Sequence, residues 1–156
     1  MSRFFLDSSA LVKRYLTETG SAWIHQQALP RAGNSIAVVE ITRVEVAAAI
    51  AARHRASKGI TRQERDGIVS LLLNHFDQEY QIIALTPDVI GQAVALTQNH
   101  RLRGYDAIQL SAALTTNQSL LRAGLAGLTF VAADGDLLSA ANQEGLEVEN
   151  PNDHLE

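Results

Sequence analysis

Four acidic residues stand where carboxylates can do chemistry. Asp7 closes a short apolar run at 4–6, and Asp134 follows the run LTFVAA. Glu45, in TRVEV, and Asp106, in GYDAIQL, open helical patterns. In an open parallel sheet, functional groups collect beyond the carboxyl ends of the strands. Asp7 and Asp134 leave strands there, and the helix starts carrying Glu45 and Asp106 can reach the same edge. Carboxylates crowded in this way repel. At about 4 Å and an effective dielectric near 20, each close pair costs roughly 4 kcal/mol. A divalent cation relieves that cost. With oxygen donors, no cysteine and no paired histidines, Mg²⁺ or Mn²⁺ is the expected ion. Such a centre suits phosphodiester hydrolysis: the ion neutralises the phosphate, activates water and stabilises the leaving oxygen, while one carboxylate serves as general base.

A plainer reading stands beside this one. Asp and Ser cap helices, and acidic side chains suit the positive helix end. Thr42-x-x-Glu45 has the form of a capping box, and Asp106-x-x-Gln109 fits one less well. Asp7 and Asp136 are further candidate caps. Capping explains each residue singly but not the set.

The elements that must position these groups alternate. Apolar runs at 36–39, 82–85, 128–132 and, more weakly, 146–148 join the one at 4–6 as expected strands. Between them, Leu11, Val12, Tyr15 and Leu16 have helical spacing, as do Val44, Ala47 and Ala48. Ile68, Leu71, Leu72 and Phe76 follow a start signal at Thr61 with Glu64 three residues on. Thr86–Pro87 opens another helix, and residues 108–114 belong to one more. Alternation of this kind predicts an α/β fold with a mainly parallel sheet of four to five strands between helical layers.

The chain of 156 residues fits one domain. Residues 1–149 are expected to form it, and the end, ENPNDHLE, to fray; its final Leu-Glu has the look of a cloning remnant. No signal peptide or membrane span is expected, and the lack of cysteine is compatible with a reducing cytosol. A net charge of −4 argues mildly against passive nucleic-acid binding, so such a role needs a local basic patch or a metal. The run RHRASKGITRQER, with Arg53, Arg55, Lys58, Arg62 and Arg65, is a candidate grip on RNA, although a solvated surface is the better reading. Arg43 beside Glu45 is a candidate for orienting an acidic side chain or a phosphate. Trp23, Tyr15 and Phe76 are read as packing residues, and Tyr105 as part of a site wall. Phosphate loops of the GxxxxGK[ST] and GxGxxG kinds are absent.

With these segments in view, the sequence resembles the PIN-domain family, in particular VapC-type toxins of toxin–antitoxin pairs. FLDSSALVKRYL, ITRVEV, LRGYDAIQLSAAL and FVAADGDLLSAA resemble, in order, the segments that carry the family's acidic residues. The resemblance implies a PIN-like three-layer α/β/α fold and Mg²⁺- or Mn²⁺-dependent cleavage of single-stranded RNA in the cytoplasm. It assigns the metal to Asp7, Glu45, Asp106 and Asp134, with Ser9 and Asp136 as accessory positions. It also implies a homodimer and a cognate antitoxin protein. Two competing readings are a non-catalytic module that holds a basic peptide at the acidic edge, and a phosphatase with Asp7 as nucleophile. The second lacks the D-x-D expected after its strand, since residues 8 and 9 are serines.

Overall fold

The structure is a computed structural model and describes residues 1–155. Its centre is a five-stranded sheet built from β1 (Arg3–Leu6), β2 (Ser35–Val39), β3 (Gln81–Ile83), β4 (Thr129–Val131) and β5 (Glu147–Glu149). The spatial order is β3-β2-β1-β4-β5. Every pairing is parallel, so the sheet is wholly rather than mainly parallel. Parallel strands need crossovers, and helices supply them: α1 (Ser8–Tyr15), α2 (Ser21–Ala28), α3 (Thr42–Arg55), α4 (Arg62–Gln78), α5 (Pro87–Asn99), α6 (Gly104–Arg122) and α7 (Gly135–Gln143).

Alternation along the strands divides the core into two. Phe5, Val39 and Phe130 face α5, α6 and α7, packing on Val89, Leu110 and Leu137. Phe4, Leu6, Val38 and Val131 face α1 to α4, packing on Leu11, Ile24, Ile50 and Leu72. A period of two places neighbouring residues on opposite faces, so each strand feeds both layers. This is the three-layer PIN-like architecture.

Thr61 accepts a hydrogen bond from Glu64 N and the Glu64 side chain returns one, forming the expected capping box of α4. Thr86 caps α5 with Pro87 in its first turn. The other two proposed boxes do not form. Thr42 lies inside α3, whose cap position is Ile41, and Asp106 lies in the first turn of α6, which starts at Gly104. Helix α2 is an addition to the sequence reading: its eight residues include one buried apolar side chain, Ile24, too few to display a helical period. Residues 150–154, expected to fray, are held. Pro151 is buried in a short 3₁₀ turn, and the His154 ring stacks on Trp23 at 4.7 Å. Glu156 lies outside the described residues, so the Leu-Glu ending is described only in part, with Leu155 exposed.

Candidate active site

Strand order reverses beside β1: β2 follows it on one side and β4 lies on the other. In open parallel sheets the crevice beyond such a reversal is the usual ligand site. Asp7 leaves β1 at this point, and its backbone N–H donates to Val131 O of β4 at 3.1 Å. Asp134 follows β4 three residues later. Both cap helices: Asp7 accepts from Ala10 N at 3.0 Å at the start of α1, and Asp134 accepts from Asp136 N and Leu137 N at the start of α7. Capping and site-building are therefore not alternatives here. The cap bonds use one carboxylate oxygen, Oδ1, and leave Oδ2 of each residue outside the cap.

Glu45, in the first turn of α3, and Asp106, in the first turn of α6, complete the set. Asp7, Glu45, Asp106 and Asp134 line one cavity of about 270 Å³, together with Ser8, Ser9, Arg103 and Tyr105. Burial pushes the Asp7 carboxyl up to about 7, against the hydrogen bonds from Ser9 and Ala10, and the charges of Asp106 and Asp134 raise it further. Glu45 is likewise pushed up to about 7, chiefly by burial, with hydrogen bonds from Ser8 and Gln109 opposing and the charges of Asp7 and Asp106 adding to the rise. Two carboxyls raised by burial and by one another's charge in one crevice make it a candidate site.

Second-row contacts order the cavity. Ser9 donates to Asp7 Oδ1 at 2.7 Å and accepts from Ala133 N at 2.9 Å, tying α1 to the end of β4. Gln109, fully buried, donates to Thr42 Oγ1 at 2.9 Å, Ser8 Oγ at 3.2 Å and Glu45 Oε1 at 3.4 Å. Tyr105 reaches Ser8 Oγ at 3.5 Å and stands in the wall, as expected. Arg103 bridges two of the carboxylates: its Nε lies 3.3 Å from Asp106 Oδ2 and its Nη2 3.9 Å from Asp134 Oδ2. A contiguous cleft of about 420 Å³ shares Arg103, Asp106 and Asp134 and adds His100, Arg101 and Asp136.

Two accessory expectations, for Arg43 and Asp136, are revised, and the basic run keeps its reading as a solvated surface. Arg43 turns away from Glu45: its Nε donates to Glu40 O and its guanidinium lies over the Phe76 ring at 4.9 Å. Asp136 is exposed in the adjoining cleft and is not the cap of α7, a role Asp134 fills. The basic run at 53–65 does not line the acidic cavity; Arg53 pairs with Glu18 and Arg65 with Asp66. Arg103, Ser8 and Gln109 belong to the site without having been singled out for it. The available signal for Arg103 was its charge three positions before Asp106, a spacing that makes neighbours of two side chains on a helix.

The donor chemistry fits a hard divalent cation, because every group offered to the cavity by the acidic set is oxygen. Among the described residues, no three His, Asp or Glu side chains are placed to enclose an ion by themselves. Mg²⁺ commonly keeps several waters and takes one or two carboxylates with substrate phosphates, so an open arrangement of this kind is compatible with it.

No family model and no curated protein matches the sequence. Solved structures do match. A chain of VapBC2 from Rickettsia felis, bound to a fragment of promoter DNA, is similar with a TM-score of 0.62 and 16% identity over 95% of this chain and 98% of that one. A chain of a toxin–antitoxin complex from Klebsiella pneumoniae has a TM-score of 0.54 and 22% identity over 97% and 98%. Mycobacterium tuberculosis VapC20, described as a toxin that cleaves the sarcin–ricin loop, has a TM-score of 0.59 and 13% identity over 92% and 95%. At such identities the likeness establishes a shared fold across nearly the whole chain.

Proposed function

We propose that this chain is an endoribonuclease that hydrolyses single-stranded RNA with Mg²⁺ or Mn²⁺, acting in the cytoplasm as the toxin of a toxin–antitoxin pair. The observation that carries the reading is the convergence of four carboxylates, from four separate elements, in one cavity at the strand-order reversal. The likeness to chains of toxin–antitoxin complexes, one of them named as RNA-cleaving, supports the substrate class. A cognate antitoxin and a homodimer belong to the same proposal.

Asp7, Asp106, Asp134 and Glu45 would hold the ion, which when bound neutralises phosphate charge and eases deprotonation of water. The chain's own groups do the rest. One of the four carboxylates takes the proton of the attacking water. Asp7 is fixed by its cap bond and by Ser9, so its free oxygen keeps one direction. Arg103, whose side chain is 80% exposed, offers a planar donor pair to a phosphate entering from the adjoining cleft.

A mixed panel of structured RNAs tests the proposal, incubated with pure protein and Mg²⁺, Mn²⁺ or chelator, beside Asp7→Asn and Asp106→Asn. Cleavage that needs the metal and is lost in both variants is expected. Full activity in both variants overturns it. The bridge from Arg103 to Asp106 and Asp134 favours one second reading, in which the acidic edge receives a partner's guanidinium without catalysis. Peptide binding that survives chelation, with no cleavage under either metal, would select it.

A further inference from the structure

We infer that Gln109 is a positioning residue that fixes the Glu45 carboxylate against α1, and thereby sets how the acidic cavity receives a divalent cation; the inference rests on the nuclease reading above. Gln109 sits three residues after Asp106 on α6 and has no exposed surface. Its amide nitrogen faces oxygens from two other helices: Ser8 of α1, and Thr42 and Glu45 of α3. One side chain thus joins the three helices that carry or adjoin Asp7, Glu45 and Asp106.

The amide's orientation follows from chemistry. Two N–H protons serve three oxygens, so one is shared. The hydroxyls of Ser8 and Thr42 can either donate or accept, but an ionised Glu45 can only accept. Rotating the amide would turn its oxygen toward that carboxylate. The observed orientation avoids this, at the cost of a buried Gln109 Oε1 with no hydrogen-bond partner. A leucine of similar bulk would remove that oxygen, but it would also take the donor away from the buried Thr42 hydroxyl. The amide satisfies the buried Thr42 hydroxyl, and its other two contacts, to Ser8 and Glu45, reach residues that line the acidic cavity. The Ser8 hydroxyl, which accepts from Gln109, lines the same cavity as Glu45.

The test compares wild type, Gln109→Leu and Gln109→Met, with Glu45→Gln as a second background. The readouts are the metal-free melting temperature, the Mn²⁺ dissociation constant by calorimetry, and kcat and KM for RNA cleavage. Groups that orient a ligand commonly contribute about 10-fold or more to affinity or rate. The expected result is a folded protein with a modestly lowered melting temperature, Mn²⁺ binding weakened about 10-fold, and a similar fall in kcat with KM little changed. In the Glu45→Gln background the further effect of Gln109→Leu on Mn²⁺ affinity should vanish, because the two residues act through one contact. Folded variants that match wild type overturn the inference, as does an undiminished effect in the Glu45→Gln background. Misfolding of both variants also overturns it, by making Gln109 a packing residue. Wild type that neither binds Mn²⁺ nor cuts RNA overturns the nuclease reading itself and the inference with it.

Discussion

Asp7 serves two ends that conflict. Its cap bond to α1 and its place at the end of β1 bury it to 3% exposure, beside the charges of Asp106 and Asp134. Its carboxyl is consequently pushed from 3.8 to about 7. A raised folded pKa favours the protonated form, so the stabilisation it contributes is complete below 3.8 and is lost as pH rises through 7. The ceiling, at 1.36 kcal/mol per pKa unit, is about 4 kcal/mol. Asn keeps the acceptor oxygen for Ala10 N and removes the charge. Asp7→Asn in chelator should therefore melt at least about 3 °C above wild type at pH 8, with the gap closing toward pH 4. Calorimetry across that range checks it, and a lower melting temperature at pH 8 refutes it. Arg103 yields a second expectation. It offsets the charge of Asp106 and Asp134, so Arg103→Ala should bind Mn²⁺ about twofold or more tightly in low salt, and the gain should shrink as salt screens it; weaker Mn²⁺ binding at low salt would count against that role. At this scale the sequence singled out the four carboxylates, because each either ends an apolar run or opens a helical pattern. It did not reveal Gln109. A glutamine three residues after an aspartate looks like a cap partner until the helix start is known to lie at Gly104.

Elements were legible where one signal repeated. All five apolar runs became strands within about one or two residues of the expected limits; the central β1, β2 and β4 are buried and nearly apolar throughout, whereas the edge strands β3 and β5 stay partly exposed. Helices with a buried stripe were legible for the same reason, whereas α2 was not. Long-range order was legible only in part: alternation predicts parallel strands, but the position of β1 between β2 and β4 is what brings Asp7 to Asp134. Some element boundaries rest on caps whose contribution can be measured. Thr61 forms both halves of the box that starts α4, far from the acidic cavity. Thr61→Ala should cost about 1 kcal/mol and lower the melting temperature by about 2–4 °C. RNA cleavage below that temperature should be unchanged, and a loss of cleavage in folded protein would link α4 to the site in a way the contacts do not.

At the scale of the whole molecule, the C-terminal segment packs against α2 and shares no lining residue with the acidic cavity. After β5, residues 151–153 turn back onto the start of α2, where Pro151 is buried and His154 stacks on Trp23 while pairing with Glu149 at 2.8 Å. Gly20 makes that approach feasible. Its φ is +87°, and a Cβ there would lie 2.7 Å from Pro151 O and 2.8 Å from Pro151 C, both backbone atoms that cannot swing aside. Gly20→Ala therefore meets two penalties, a left-handed backbone conformation and a collision with the C-terminal turn. The first alone costs about 1–3 kcal/mol. Together they should lower the melting temperature by at least about 4 °C. The two penalties separate on removal of residues 151–156. Truncation lowers stability by itself, since it deletes the buried proline and the ring stack. In the truncated chain, however, Gly20→Ala should cost distinctly less than in the full chain, because only the conformational penalty is left. Equal losses in both backgrounds would show that Pro151 does not press on Gly20. The acidic cavity shares no lining residue with this turn. The metal dependence of cleavage should thus be the same in all four proteins at temperatures where they are folded, which keeps the stability experiment independent of the chemistry at Asp7.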